Sequence, residues 1–485
     1  MDKEKQNKDI GITEKKENDI SEWYSQVCLK GELADYGTVK GTMIIRPRGY
    51  FIWQTIQDYF NKKIVEKTNA KNAYFPLFIP ESFFKKEAQH AKGFSPEVAW
   101  IDKSLTKDGE RLAIRPTSET IMYDSYSKWI RSYKDLPLKI NQWCNIVRWE
   151  TQATKLFLRS REFLWQEGHC VYSTKTECKK ETINYIKSYQ KLCKDLLALP
   201  VIVGKKTEKE KFAGAETSYT IEAFMPDGKA LQCGTSHELG QGFAKSFNIR
   251  FIDENEKSQV PWQNSWGLST RLIGALVLTH SDDKGLILPP QISENKIVII
   301  PIIKEDSKEK VMKKAKEIAN ELKSFNPVLD DRLDYSPGFK YNEWELKGIP
   351  IRIEIGPKDL EKSQVVLARR DLKEKKEIKL SILKKTIEKE LEEMHSNLYN
   401  KAENFLKHSI VKADKLSDLI KHVKDKKIVL ANFCGDIDCE DSLKEKTQGI
   451  TTRCIPLDSI NKTAKGNCIF CNKKAAYEVL FGRSY

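Results

Sequence analysis

The clearest hydrophobic patterning lies beyond residue 290. Between Ser307 and Lys323, Val311, Ala315, Ile318, Ala319 and Leu322 recur at helical spacing, with lysines on the other face, so the segment is predicted as an amphipathic helix. The short apolar run from Lys296 to Ile303 predicts a buried strand. Ile349, Ile351, Ile353 and Ile355 alternate with Pro350, Arg352 and Glu354, the period-two signature of a half-buried strand, and Val365 to Ala368 predicts another. This alternation of elements suggests a small α/β domain with a mixed sheet. Glu377 to about His408 reads as one long helix with Ile387, Leu391, Met394 and Leu398 as its apolar stripe.

Earlier in the chain, from Trp23 to about Pro290, strand-like and helical stretches mix without a strict βαβ rhythm, which suggests an antiparallel α/β domain. Pro289-Pro290 is a breaker and marks a boundary. Residues 1–20 offer little to bury and are expected to form a disordered polar tail. The expected organisation is therefore a multidomain α/β chain: that tail, an antiparallel-sheet domain over 21–290, a second α/β domain with its connecting helix over 295–395, and a small cysteine-rich α/β domain over 396–485.

Length agrees with several cores, since 485 residues exceed what one ordinary core holds. The formal net charge of +14 suits a polyanionic partner, and equally an ordinary lysine-rich surface. No run approaches the ~20 apolar residues that cross a bilayer. The first residues lack the apolar core of a signal peptide and carry too many acids for a mitochondrial transit peptide. A soluble, cytoplasmic protein is expected, with its eleven cysteines reduced or binding metal.

The densest chemistry falls between Arg115 and His169. Arg115-Pro116-Thr117-Ser118-Glu119-Thr120 is followed by Arg148-Trp149-Glu150, then Arg159, Arg161-Glu162-Phe163 and Trp165-Gln166-Glu167-Gly168-His169. A lone Arg-x-Glu is ordinarily a surface ion pair. Here, however, Arg148-x-Glu150 on a strand, a loop, and then Arg159 and Phe163 resemble motif 2 of the class II aminoacyl-tRNA synthetases. Downstream, Asn264 to Gly274, containing Ser269 and Arg271, resembles motif 3, and Gly41 to Pro47 resembles the dimer-forming motif 1. The substrate enters through longer matches. Arg115 to Thr120, Phe212-Ala213-Gly214-Ala215, Thr235-Ser236-His237 with Leu239-Gly240-Gln241, and the closing Phe481-Gly482-Arg483-Ser484-Tyr485 resemble prolyl-tRNA synthetases of the eukaryotic and archaeal type, over essentially Trp23 to Tyr485.

That resemblance implies an enzyme that activates L-proline with ATP and passes it to the 3′ end of tRNA(Pro). Proline offers a secondary ammonium, a carboxylate and a compact apolar ring. Thr117 and Glu119 would accept the ammonium, and His237 would border the same ligand. Trp165 and Trp266 would wall the ring, and both also suit plain core. Arg148 fits the proline carboxylate and the α-phosphate, because its planar fork holds oxyanions. Arg159 and Arg271 would clamp phosphates, with Glu150 and Phe163 on the adenine side and Phe163 and Arg271 sandwiching the base. Gln232, Thr235 and Ser269 would also meet the nucleotide, Gln232 near a Mg²⁺ that accompanies ATP. Cys233-Gly234 departs from the smaller residues common in the family. The stretch from Asp334 to Asp359 resembles the class IIa anticodon-binding domain.

Cys434-x4-Cys439 and Cys468-x2-Cys471 are spaced as paired knuckles for a closed, structural Zn²⁺ site, and the family carries zinc at matching positions. Cys454 falls between the pairs and stays outside the set, and Ser442 stands where some relatives carry Trp. Tyr485 ends the chain as in relatives, where the terminus approaches the active site. No class I signature and no Walker-type phosphate loop appears. The interval from Arg148 to Arg271 is too short for a large inserted editing domain, so no hydrolysis of mischarged alanyl-tRNA is expected. Nothing before Trp23 resembles a fused glutamyl synthetase, so a stand-alone enzyme is expected, and the motif 1 resemblance implies a homodimer. The competing readings are a class II enzyme for threonine, glycine or histidine, a catalytically silent tRNA-binding regulator, and a zinc-dependent RNA-binding protein.

Overall fold

The computed structural model describes residues 11–88, 98–102, 109–150, 153–372, 374–460, 462 and 464–485. Residues 1–10 of the expected tail lie outside the described residues. Residues 11–19 do not form a free polar tail. Lys16 Nζ donates to the carbonyls of Leu278 (2.7 Å) and Ser281 (3.1 Å), and Ile12 packs on the main core. The lysine caps a helix end whose carbonyls have no partner within the helix.

Helix α1 (Ile20–Lys30) starts where Asp19 accepts from the backbone N–H groups of Ser21 and Glu22, and it turns Trp23, Tyr24, Val27 and Cys28 inward. A hairpin of β1 (Ala34–Tyr36) and β2 (Met43–Ile45) leads into α2 (Pro47–Phe60). There follow β3 (Lys71–Asn72), α3 (Glu119–Trp129), β4 (Leu138–Val147), β5 (Glu162–Tyr172) and α4 (Lys175–Leu197). Next come β6 (Ile202–Lys205), β7 (Thr217–Phe224), β8 (Lys229–Gly240), β9 (Trp262–Ser269) and α5 (Arg271–His280). From β6 through β7, β8, β9 and β5 to β4, each neighbouring pair is antiparallel, as the sequence predicts. Helix α4 covers one face, burying Cys178, Tyr185, Ile186 and Tyr189 against it. The opposite face carries the site.

The next unit runs β10 (Ile297–Pro301), α6 (Lys308–Glu321), β11 (Val328–Leu329), α7 (Pro337–Leu346), β12 (Ile351–Ile355), β13 (Gln364–Arg369), β14 (Lys375–Lys379) and α8 (Leu383–Ser409). Its sheet is mixed, in the order β11-β10-β12-β13-β14. Two expectations change here. β12 is the central strand and is buried along its whole length, because Arg352 and Glu354 pair at 3.0 Å and both faces are covered. The long helix begins at Leu383, because residues 375–379 pair with β13 as an edge strand first.

The last unit comprises β15 (Ile410–Lys412), β16 (Ile428–Phe433), α9 (Ile437–Lys446), β17 (Thr451–Pro456) and β18 (Tyr477–Ser484). It is continuous with the first sheet. Ile455 and Pro456 of β17 pair with Lys205 and Gly204 of β6, giving one eleven-stranded sheet in the order β15-β16-β18-β17-β6-β7-β8-β9-β5-β4-β3. Gly204 permits the approach: a Cβ there would meet Cys454 Sγ at 2.5 Å. Cys454 is thus packing across a seam.

Candidate active site

Strand parity builds the site. On β5, Phe163, Trp165, Glu167 and His169 point to one face and line a cavity of about 560 Å³. Residues of opposite parity turn to the helix layer: the Gln166 side chain accepts from Tyr189 Oη at 2.7 Å, and Cys170 Sγ accepts from Trp266 Nε1 at 3.3 Å. On β9, Ser265, Gly267 and Ser269 border the cavity.

Trp266 therefore does not wall a ligand with its ring. The residue borders the cavity, but its indole lies between β9 and the helix layer, stacked on Tyr185 at 3.9 Å and on Phe60 at 5.9 Å. It packs against Gly168, where a Cβ would collide with the ring. Of the two expected tryptophans, only Trp165 has cavity-facing parity.

A bulge sets the opposite wall. Ile221 pairs with Gly234 and Glu222 with Gln232, so Cys233 is the extra residue on β8. Without it, Gln232 and Thr235 would have opposite parity; with it, both line the cavity together with His237. His237 Nδ1 lies 2.8 Å from Ser218 Oγ, and its ring packs on Phe212 with centroids 4.8 Å apart. Burial, with smaller contributions from the cationic His169 and Lys206 nearby, pulls its pKa down to about 3, so the imidazole is neutral.

The front of the cavity holds the charges. Arg148 follows β4, donates from Nε to the Pro116 carbonyl at 3.2 Å, and has its guanidinium carbon 5.6 Å from the Trp165 ring and 5.8 Å from Phe163. Burial lowers its pKa, opposed by Glu119, Glu167 and Glu150, and as an arginine it stays charged. Arg271 opens α5 with its backbone N–H bonded to Ser269 Oγ at 3.2 Å. Its guanidinium donates to the carbonyls of Leu158 (3.1 Å) and Gln232 (3.2 Å). Burial lowers its pKa too, and the Arg148 and Arg159 charges add to the strain. Arg159 stands just outside the cavity lining, 3.8 Å from the Glu150 carboxylate. Converging guanidinium groups repel one another, and a polyanionic ligand relieves that repulsion.

Thr117 donates its hydroxyl to the Glu119 carboxylate, both lining the cavity at the start of α3. Behind them stands a buried pair whose role the sequence reading left blank. Glu167 accepts from His169 Nε2 (3.0 Å), Gln142 Nε2 (3.0 Å), Ser118 Oγ (2.5 Å) and Ser118 N–H (3.1 Å). Burial would raise its pKa, but these donors and the His169 charge hold it below the usual value, and His169 is raised in turn. The signal was available: Trp165, Glu167 and His169 alternate along one strand and must share a face.

At the far end of the sheet, Cys434, Cys439, Cys468 and Cys471 bring their sulfurs within 4.8 Å of one another. The Cys439–Cys468 and Cys434–Cys471 separations are 3.8 and 3.6 Å. Tetrahedral thiolates at Zn–S distances of about 2.3 Å sit roughly 3.8 Å apart, so the donor set fits a four-coordinate metal. Tyr485 Oη donates to Asp227 at 2.7 Å beside β8, and its backbone N–H reaches the Ala230 carbonyl at 3.3 Å.

An antiparallel sheet with a half-buried Arg-x-Glu at a strand end and a facing arginine at a helix start defines a class II aminoacyl-tRNA synthetase. The model of the class II tRNA synthetase core (G, H, P, S and T) matches residues 100–280, the anticodon-binding domain matches 296–390, and the prolyl-tRNA synthetase C-terminal domain matches 416–485. A proline–tRNA ligase of Alkaliphilus oremlandii is 48% identical over 473 residues, 97% of each chain. The prolyl-tRNA synthetase of Cryptosporidium parvum superposes with a TM-score of 0.92 over 100% of this chain and 99% of its own. One of its structures, at 44% identity, holds halofuginone and AMPPNP, and another, at 42%, holds L-proline and AMP. The chain belongs to the prolyl-tRNA synthetase family, and its activity is that of a proline–tRNA ligase.

Proposed function

We propose that this cavity carries out both half-reactions: L-proline and ATP give prolyl-adenylate and pyrophosphate, and the prolyl group then passes to the 3′ end of tRNA(Pro). The observation that carries this reading is the convergence of Thr117, Glu119, Trp165, His237, Arg148 and Arg271 on one cavity. A carboxylate–hydroxyl pair takes the ammonium, and Trp165 and the neutral His237 flank the ring without adding charge. Arg148 takes the carboxylate and α-phosphate, while Arg271 and Arg159 hold the other phosphates. Glu150, Phe163, Gln232, Thr235 and Ser269 complete the nucleotide side, with Mg²⁺ arriving with ATP near Gln232. Proline's carboxylate is ionised at neutral pH, so activation needs no general base. Alignment and charge stabilisation carry the rate.

Structural Zn²⁺ held by Cys434, Cys439, Cys468 and Cys471 fits the sulfur spacing and leaves no open position for water. A homodimer formed through the motif 1 hairpin is supported by Tyr36, Val39 and Ile44, which remain 59%, 53% and 56% exposed in the single chain. The units of function are taken as 21–290, 295–395 and 396–485. No helix among the described residues is long and apolar enough to cross a membrane, and a cytoplasmic enzyme is proposed. Editing of alanyl-tRNA is not expected of this chain. ATP–pyrophosphate exchange against a panel of amino acids tests the reading. Exchange driven by proline, with alanine and cysteine far weaker, is expected; exchange with another amino acid alone would overturn it.

A further inference from the structure

Outside the residues assigned above, one charged cluster is buried in the seam between the catalytic sheet and the C-terminal unit. Lys206 Nζ donates to Glu222 Oε1 at 2.8 Å and to the Arg453 carbonyl at 2.9 Å. Arg453 donates to Glu222 Oε2 from Nη2 at 2.9 Å and from Nε at 3.3 Å. The three side chains are 4%, 6% and 1% exposed for Lys206, Arg453 and Glu222. Charges withdrawn this far from water require close partnership. Here two cations share one carboxylate, and Glu210 at the cavity edge acts on Arg453 only through its field.

Two features turn this cluster toward the reaction. Lys206 lines the catalytic cavity. An ammonium has three N–H donors, and the two partners above account for two of them. Glu222 is also the cross-strand partner of Gln232 at the Cys233 bulge, and Arg271 donates to the Gln232 carbonyl. Through Glu222 the cluster abuts the nucleotide side, and Lys206 itself lies close enough to His237 for its charge to act there.

We propose that Lys206 is a ligand-facing cation that holds an anionic oxygen of ATP or of the adenylate, and that Arg453, supplied by the C-terminal unit, is the positioning residue that sets it through Glu222. Arg453 occupies one carboxylate oxygen, leaving the other for Lys206, and its own carbonyl fixes the second N–H of the ammonium. This rests on the cavity being the proline–ATP site.

The test is pyrophosphate exchange with purified, metal-replete protein. Lys206→Met leaves the Glu222–Arg453 pair in place. It is expected to raise the KM for ATP roughly tenfold, the loss of a charge-assisted hydrogen bond, while the KM for proline changes by less than about twofold. Arg453→Gln should shift the same constant, and Arg453→Lys should restore part of it. An unchanged KM for ATP in Lys206→Met, or an equal rise in both constants, overturns the proposal, and Lys206→Met decides the matter if Arg453→Gln does not fold. Thr117→Ala serves as the control: an unmoved KM for proline there would instead sink the reading of the cavity itself.

Discussion

His169 Nε2 lies 3.0 Å from a Glu167 carboxylate oxygen, and both side chains are almost wholly buried. Each partner favours the charged form of the other, so their contributions to stability have opposite pH limits. The Glu167 contribution is complete above its ordinary value of 4.5 and is lost as pH falls through its lowered folded value. The His169 contribution is complete below its ordinary value of 6.5 and is lost as pH rises through its raised folded value. Thermal melts of the wild type should therefore fall away on both sides of that window. Glu167→Gln should weaken the alkaline limb and lower stability by about 3 kcal/mol, because the buried imidazolium loses its counter-charge.

Arg148 is expected to act through its planar fork as well as its charge. Arg148→Ala should reduce the rate of pyrophosphate exchange by roughly two to three orders of magnitude. Arg148→Lys, which keeps the charge, should recover only a small part of it. Near-complete recovery in Arg148→Lys would mean that a point charge is sufficient there.

Gly168 is set by the Trp266 indole, not by backbone conformation. Gly168→Ala should cost about 1–3 kcal/mol, because the new methyl overlaps a ring already clamped between Tyr185 and Phe60. Denaturant melts would show it. A double variant that also carries Trp266→Leu should recover stability relative to the single change if the clash is the cause.

The cysteine cluster should bind about one zinc per chain, measurable by elemental analysis. Cys468→Ser or a strong chelator should abolish it and lower the melting temperature, since binding to a folded site is folding free energy. Full metal content in Cys468→Ser would exclude that ligand.

Much of the site was readable because its residues recur in short ordered stretches, and Arg148, Phe163, Trp165, Thr235, His237 and Arg271 all border one cavity. Two features hidden from the sequence concern strand parity. Nothing in the order of residues reveals that Ser265, Gly267 and Ser269 face the cavity, which sends the Trp266 ring to the other side. Nor does it reveal the extra residue at Cys233, which brings Gln232 onto the face of Thr235. Arg352 and Glu354 mimic a solvent-facing pattern, yet they neutralise each other inside a central strand. The seam at Lys206, Glu222 and Arg453 joins residues up to 247 positions apart, a distance that local patterning does not span.

The joining of β6 to β17 has a consequence for synthesis. Among the described residues, Ile202–Lys205 is paired on its outer side by residues 455 and 456 of the last unit. While the ribosome is still making the intervening chain, the growing catalytic sheet carries a bare strand with unpaired N–H and C=O groups, open to the same edge on a neighbouring nascent chain. Final closure of the sheet therefore waits for the last unit to emerge, which makes the two ends of the catalytic core mature at different times.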